Sequence, residues 1–171
     1  TIAIRIMEFV YLPAWGLSNA TATLVGQNLG AGKPERARRS VQVATRINVV
    51  LMLAVGVIFV TVPTTLLTPF AHDSGVLSIA VQCLMIIGAG LPLFAPGMIK
   101  TQALNGAGDT MTPTWLNLIA FWLVQIPLAA WWSSTSFEAI GVAWTVMVSS
   151  ALLSLLAYAV YRRGRWQETV V

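Results

Sequence analysis

Residues 47–67 read INVVLMLAVGVIFVTVPTTLL, a run without a single charge. A helix needs about 20 predominantly apolar residues to cross a bilayer, and this run supplies them. Immediately before it stand Lys33, Arg36, Arg38, Arg39 and Arg46. Arg46 sits at the border, where its aliphatic stem snorkels toward water. Basic before apolar is the pattern of a membrane boundary.

The rest of the chain repeats the theme. Of its 171 residues 57% are hydrophobic and 9% charged, against roughly 25% charged in an ordinary soluble domain. So few charges cannot cover a soluble fold of this size, so the expected fold class is an all-α integral membrane protein. The reading places helices at 2–29, 35–67, 75–104, 113–132 and 137–161, followed by a basic cytoplasmic tail at 162–171. Pro13 and Gly16 are expected to kink the first helix, and Gly88, Gly90, Pro92, Pro96 and Gly97 to break the third. Trp131, Trp132, Tyr158, Tyr161 and Trp166 fall near helix ends, as in an aromatic belt.

The net charge of +4 does not point to nucleic acid. The cations gather in two clusters beside apolar runs, 33–39 and 162–165, and no groove-like pattern appears. The loops at 70–75 and 133–138 carry no Lys or Arg. Both basic clusters are therefore placed in the cytoplasm, with the start of this chain outside. The location expected is a cell (inner) membrane, crossed several times. The chain opens with Thr1 inside an apolar pattern, with no signal-peptide plan, and further chain is expected upstream. Cys83 is the single cysteine and reads as a small buried hydrophobe. His72 reads as a solvated loop residue, and Asp73, Glu138 and Glu168 as solvated loop or tail carboxylates. No catalytic residue, metal site or cofactor is expected.

Two turns share one plan. Gly30-Ala31-Gly32 ends a helix before Pro34, and Gly106-Ala107-Gly108-Asp109-Thr110 does so before Pro113. Glycine serves a helix C-cap, and proline suits the first turn of the next helix. Thr112 is the expected N-cap of the fourth helix, and Asp109 is expected to cap a backbone N–H or pair with a base. No GxxxxGK[ST] occurs, and the GxG pattern lacks its strand and third glycine.

The strings AWGLSNATATLVGQNLGAGKPERARRS (14–40) and TQALNGAGDTMTPTW (101–115) resemble two signatures of the multidrug and toxic compound extrusion family. That resemblance implies twelve helices in two six-helix lobes around a central cleft. The tail YRRGRW (161–166) fits the end of the second lobe, so these residues resemble most of one lobe, its eighth to twelfth helices. The first, N-terminal lobe would then be a missing part of the same chain. The implied function is a secondary active antiporter, exporting amphipathic or cationic drugs and toxic compounds in exchange for Na⁺ or H⁺. The implied partners are small-molecule drugs or organic cations and the lipid bilayer.

Antiport needs a group whose ion occupancy differs between two states. Glu8, in an apolar run with Arg5 three residues earlier, is the candidate here. An Arg5–Glu8 ion pair near the outer surface is the alternative, and the resemblance assigns Glu8 no ion. Asn117, Phe121 and Gln125 recur every four residues and should share one inward face, as helix–helix glue or cavity lining. Gln82, with Met85, could line the same space. A flippase for lipid-linked sugars is a rival reading, for which Arg5 and Arg46 supply few cations. A non-transporting membrane scaffold is another.

Overall fold

The computed structural model describes residues 2–69, 74–134, 138–164 and 166. Side chains are described from Tyr11 onward, those of Ser74, Glu138 and Ala139 excepted. The chain is a helical membrane bundle: α1 Ile2–Gly30, α2 Pro34–Thr61, α3 Pro63–Leu67, α4 Ser74–Gly106, α5 Met111–Asn117, a π-helical segment Leu118–Gln125, α6 Ile126–Ser133 and α7 Glu138–Arg162. Among the described residues four stretches are long and apolar enough to cross a membrane: Pro34–Thr61, Gly75–Gly106, Met111–Ser133 and Ile140–Arg162. The 29 residues of α1 pack beside them, and at about 1.5 Å per residue they match the thickness of a bilayer.

α4 is the centre of the bundle, in contact with α1, α2 and α7. One buried cluster joins Val25, Val41, Ile99, Leu104, Leu116 and Leu153 toward the end that holds the two glycine turns. A second joins Ala14, Met52, Phe59, Leu84, Leu91 and Met98 toward the other end. Alanines fill much of the first cluster, as expected where small residues let helices approach in lipid. The outer faces keep Val50, Leu53, Trp122, Leu123 and Leu155 more than half exposed, a surface suited to acyl chains.

Both glycine turns close in the same way. Gly32 and Gly108 take φ of 66° and 86°, the left-handed region where a Cβ is costly. Gly32 N–H donates to Leu29 O at 2.9 Å and Lys33 N–H to Asn28 O at 2.8 Å. Gly108 N–H donates to Asn105 O at 3.0 Å and Asp109 N–H to Leu104 O at 3.1 Å. This pair of crossed bonds is the Schellman motif, which satisfies the last carbonyls of a helix. The left-handed residue is thus the second glycine of each turn, while Gly30 and Gly106 stay helical.

Four sequence expectations need correction. The helix expected over 35–67 stops at Thr61, and Val62 leaves the helical region with φ −129° and ψ 42°, because Pro63 disfavours the α conformation in the residue before it. The glycines and prolines expected to break or kink the third helix do not interrupt it, and α4 runs 33 residues through Pro92 and Pro96. The fourth helix starts at Met111 with Thr110 as N-cap, and it is Asp109 Oδ1 that accepts from Thr112 N–H, at 3.0 Å. Trp166, expected in an aromatic belt, is buried, stacked on Tyr161 with ring centroids 4.8 Å apart. His72 and Asp73 lie outside the described residues, as do the side chain of Glu138 and all of Glu168.

Candidate functional site

The two glycine-bearing strings, distant in sequence, meet in space. Gly106 lies so close to α1 that an added Cβ would stand 2.2 Å from Ala22 O. Beside this contact Gln102 Nε2 donates to Asn19 Oδ1 at 3.4 Å, and Asn105 Nδ2 donates to Gln102 Oε1 at 2.9 Å. Residues 14–40 and 101–115 therefore form one joint between α1 and α4, with the two turns at the same end of the bundle.

The middle of α4 carries a second polar joint. Pro92 and Pro96 offer no N–H, so the carbonyls of Gly88 and Pro92 lose their helical donors. Gly56 brings the α2 backbone against Gly88 O, where an added Cβ would approach to 2.5 Å. At the next turn the Ser154 hydroxyl of α7 accepts from Gly97 N–H at 2.9 Å and donates to Leu93 O. These are the two groups that an undisturbed α-helix would pair directly. A side chain inserted into the ladder in this way is a recognised origin of helix bending. Gly97 makes room for it, since a Cβ there would meet Ser154 Oγ at 2.7 Å. Asn48 of α2, fully buried, donates to Ala95 O at 3.3 Å from the other side.

Glu8 and Arg5 lie on α1, but their side chains are outside those described. One turn after Glu8, the Tyr11 ring meets Phe94 edge-on, with centroids 5.6 Å apart. The start of α1 thus runs beside the α4 joint.

The other predicted residues are dispersed. Ser149 Oγ donates to Gln125 Oε1 at 2.8 Å, tying the fourth span to α7. Phe121 is half-buried against the core, while Asn117 and Gln82 are exposed. Among the described residues no hydrogen bond joins Gln82, Asn117 and Gln125, and the stripe Asn117-Phe121-Gln125 runs into a π segment, with Asn117 exposed and Phe121 and Gln125 half-buried. There Ile126 N–H reaches back to Phe121 O, five residues instead of four, which changes the angular step per residue. Pro127 follows directly, and its missing N–H leaves a carbonyl of the preceding turn without a donor.

Sequence reading missed Ser154, Asn48 and Lys100. Lys100 alone left a usable signal: an ionisable residue inside an apolar span is by default of functional interest. Ser154 and Asn48 matter through their neighbours on other helices, which no single segment displays.

The MatE family model matches residues 1–131. The probable multidrug resistance protein NorM of Thermotoga maritima is 26% identical over 173 residues, covering 99% of this chain and 37% of that protein. Its namesake in Deinococcus radiodurans is 30% identical over 167 residues, covering 92% and 36%. The present chain therefore spans little more than a third of the length of these curated relatives. Among solved structures, the inward-facing conformation of a multidrug resistance MATE family transporter of the MOP superfamily superposes with a TM-score of 0.84. That superposition covers 99% of this chain and 40% of the other at 18% identity, a likeness of fold. A match across three of the chain's long helices and both glycine turns leaves no room for another assignment: the chain belongs to the MatE family.

Proposed function

We propose that this bundle works as part of a secondary active exporter of amphipathic or cationic compounds, driven by entry of Na⁺ or H⁺ across the cell membrane. The observation that carries this reading is the family match over residues 1–131 on a multi-pass helical bundle. Relatives named as probable multidrug resistance proteins support drug-like small molecules as substrates.

The α4 joint supports a mechanism of alternating access. A helix that bends at a defined point moves one half while the other keeps its packing. At 93–97 the ladder is closed through a neighbour's hydroxyl, so α4 and α7 would bend or slide as a coupled pair. Coupling to an ion requires a group that binds it differently in the two states, and Glu8, on the stretch of α1 beside this joint, is the proposed group, with Arg5 as its neighbour. Gln125, Asn117, Phe121 and Gln82 remain proposed pathway residues. A second lobe would complete the cleft.

The test expresses the native gene in a drug-sensitive host and follows ethidium accumulation. Lower accumulation, reversed by an ionophore that collapses the Na⁺ or H⁺ gradient, is expected. Glu8→Gln should abolish the gradient dependence while the protein still reaches the membrane. Unaltered efflux in Glu8→Gln removes Glu8 from the mechanism, and no effect of the native gene on accumulation removes the exporter reading.

A further inference from the structure

At the end of the bundle that holds the glycine turns, α2, α4 and α7 enclose a cavity of about 520 Å³. This falls in the range of small-ligand sites, about 300–1,000 Å³. Its walls include Arg38, Arg46, Lys100 and Arg162, together with Tyr158 and Tyr161, and among the described residues no carboxylate lines it. Lys100 is only 8% exposed, deep in an apolar span. Its ammonium stands 5.6 Å from the centroid of the Tyr158 ring, a cation–π contact. The buried Tyr161 hydroxyl has no hydrogen-bond partner among the described residues.

A ring's quadrupole offsets a small part of the cost of burying an ammonium. Three guanidinium groups around the same space add repulsion to that cost. The arrangement is stable when an anion with several acceptor oxygens enters. Guanidinium forks bind phosphate oxygens in pairs, and lysine serves as a point charge beside them.

We propose that this cavity binds a phosphate group, carried either by an acidic phospholipid headgroup or by a soluble phosphate compound. The site stands independently of the efflux reading, because it uses residues of α2, α4 and α7 only. Its position at the basic border of the bundle, beside the exposed Tyr158 and Arg162, suits either source. Lys100 recognises charge at the bottom, and Arg38, Arg46 and Arg162 hold the oxygens at the mouth.

The experiment measures the thermal midpoint of the full-length native protein, purified in detergent. Phosphatidylglycerol is compared with phosphatidylcholine, and sodium phosphate with sodium chloride at matched ionic strength. A rise of several degrees with phosphatidylglycerol alone identifies a lipid headgroup, and the same rise with sodium phosphate identifies the soluble form. Lys100→Met should abolish the rise and Arg46→Gln at least halve it. Arg39→Gln, which removes a charge from a separate groove between α1 and α2, should preserve it. If Lys100→Met does not fold, the exposed Arg38→Gln and Arg46→Gln variants decide the question. No rise with either phosphate source, or equal losses in Arg46→Gln and Arg39→Gln, overturns the proposal.

Discussion

α4 and the fourth span meet the same problem and solve it differently. Each carries proline within an apolar stretch, and each must satisfy carbonyls that proline leaves without a donor. α4 stays α-helical through Pro92 and Pro96, and around them Asn48 of α2 donates to Ala95 O while Ser154 of α7 bridges Gly97 N–H and Leu93 O. The fourth span shifts its own hydrogen-bond register over Leu118–Gln125 before Pro127. The most apolar window of that span is 11% buried, against 22% for α4. A helix surrounded by partners borrows their polar groups, whereas one facing outward repairs itself along its own backbone. The first solution binds neighbouring helices into one mechanical unit, and the second shifts the ladder within one span, which is tied to α7 through Ser149 and Gln125.

This contrast can be broken by mutation. The largest effect is expected for Gly56→Val, whose Cβ would stand 2.5 Å from Gly88 O. Backbone cannot yield as a flexible side chain does, and the loss should be about 3 kcal/mol, seen as aggregation in size-exclusion chromatography. Ser154→Ala should cost about 1 kcal/mol, near the mean for a side-chain hydrogen bond between membrane helices. Measured by unfolding in detergent, it should also uncouple α4 from α7, visible as faster amide exchange at Gly97. The smallest change is expected for Pro127→Ala. Restoring an N–H there lets the π segment relax to α with stability unchanged or raised by up to about 1 kcal/mol. A loss from Pro127→Ala larger than that from Ser154→Ala would reverse the comparison.

The sequence displayed whatever depends on neighbours along the chain. Apolar runs located the long helices, and the repeated Gly-Ala-Gly followed by proline located the two turns that the crossed hydrogen bonds now explain. It hid whatever depends on neighbours in space. Glycines and prolines at 88–97 looked like a break because the segment, read alone, has no donors to replace those that proline removes. The polar contacts beside them come from residues 48 and 154 on neighbouring helices, and the close backbone approach from Gly56. The stripe Asn117-Phe121-Gln125 was legible as a four-residue recurrence, but the π register that carries much of it was not. Pro63 offered a local signal that the reading of one helix over 35–67 passed over: a proline inside the run ends α2 at Thr61. The basic cavity was half legible, since Arg46 and the Arg162 cluster were recognised as a membrane border, but Lys100 completes it from another helix.

The most direct measurement reconstitutes the native protein into liposomes and follows a fluorescent organic cation while Na⁺ and H⁺ gradients are imposed in turn. The account predicts uphill movement of the cation under one of these gradients, reversed when the gradient is reversed and absent from protein-free liposomes. Equal rates with and without every imposed gradient would contradict it, and would leave a membrane bundle of this family that does not couple ions to export.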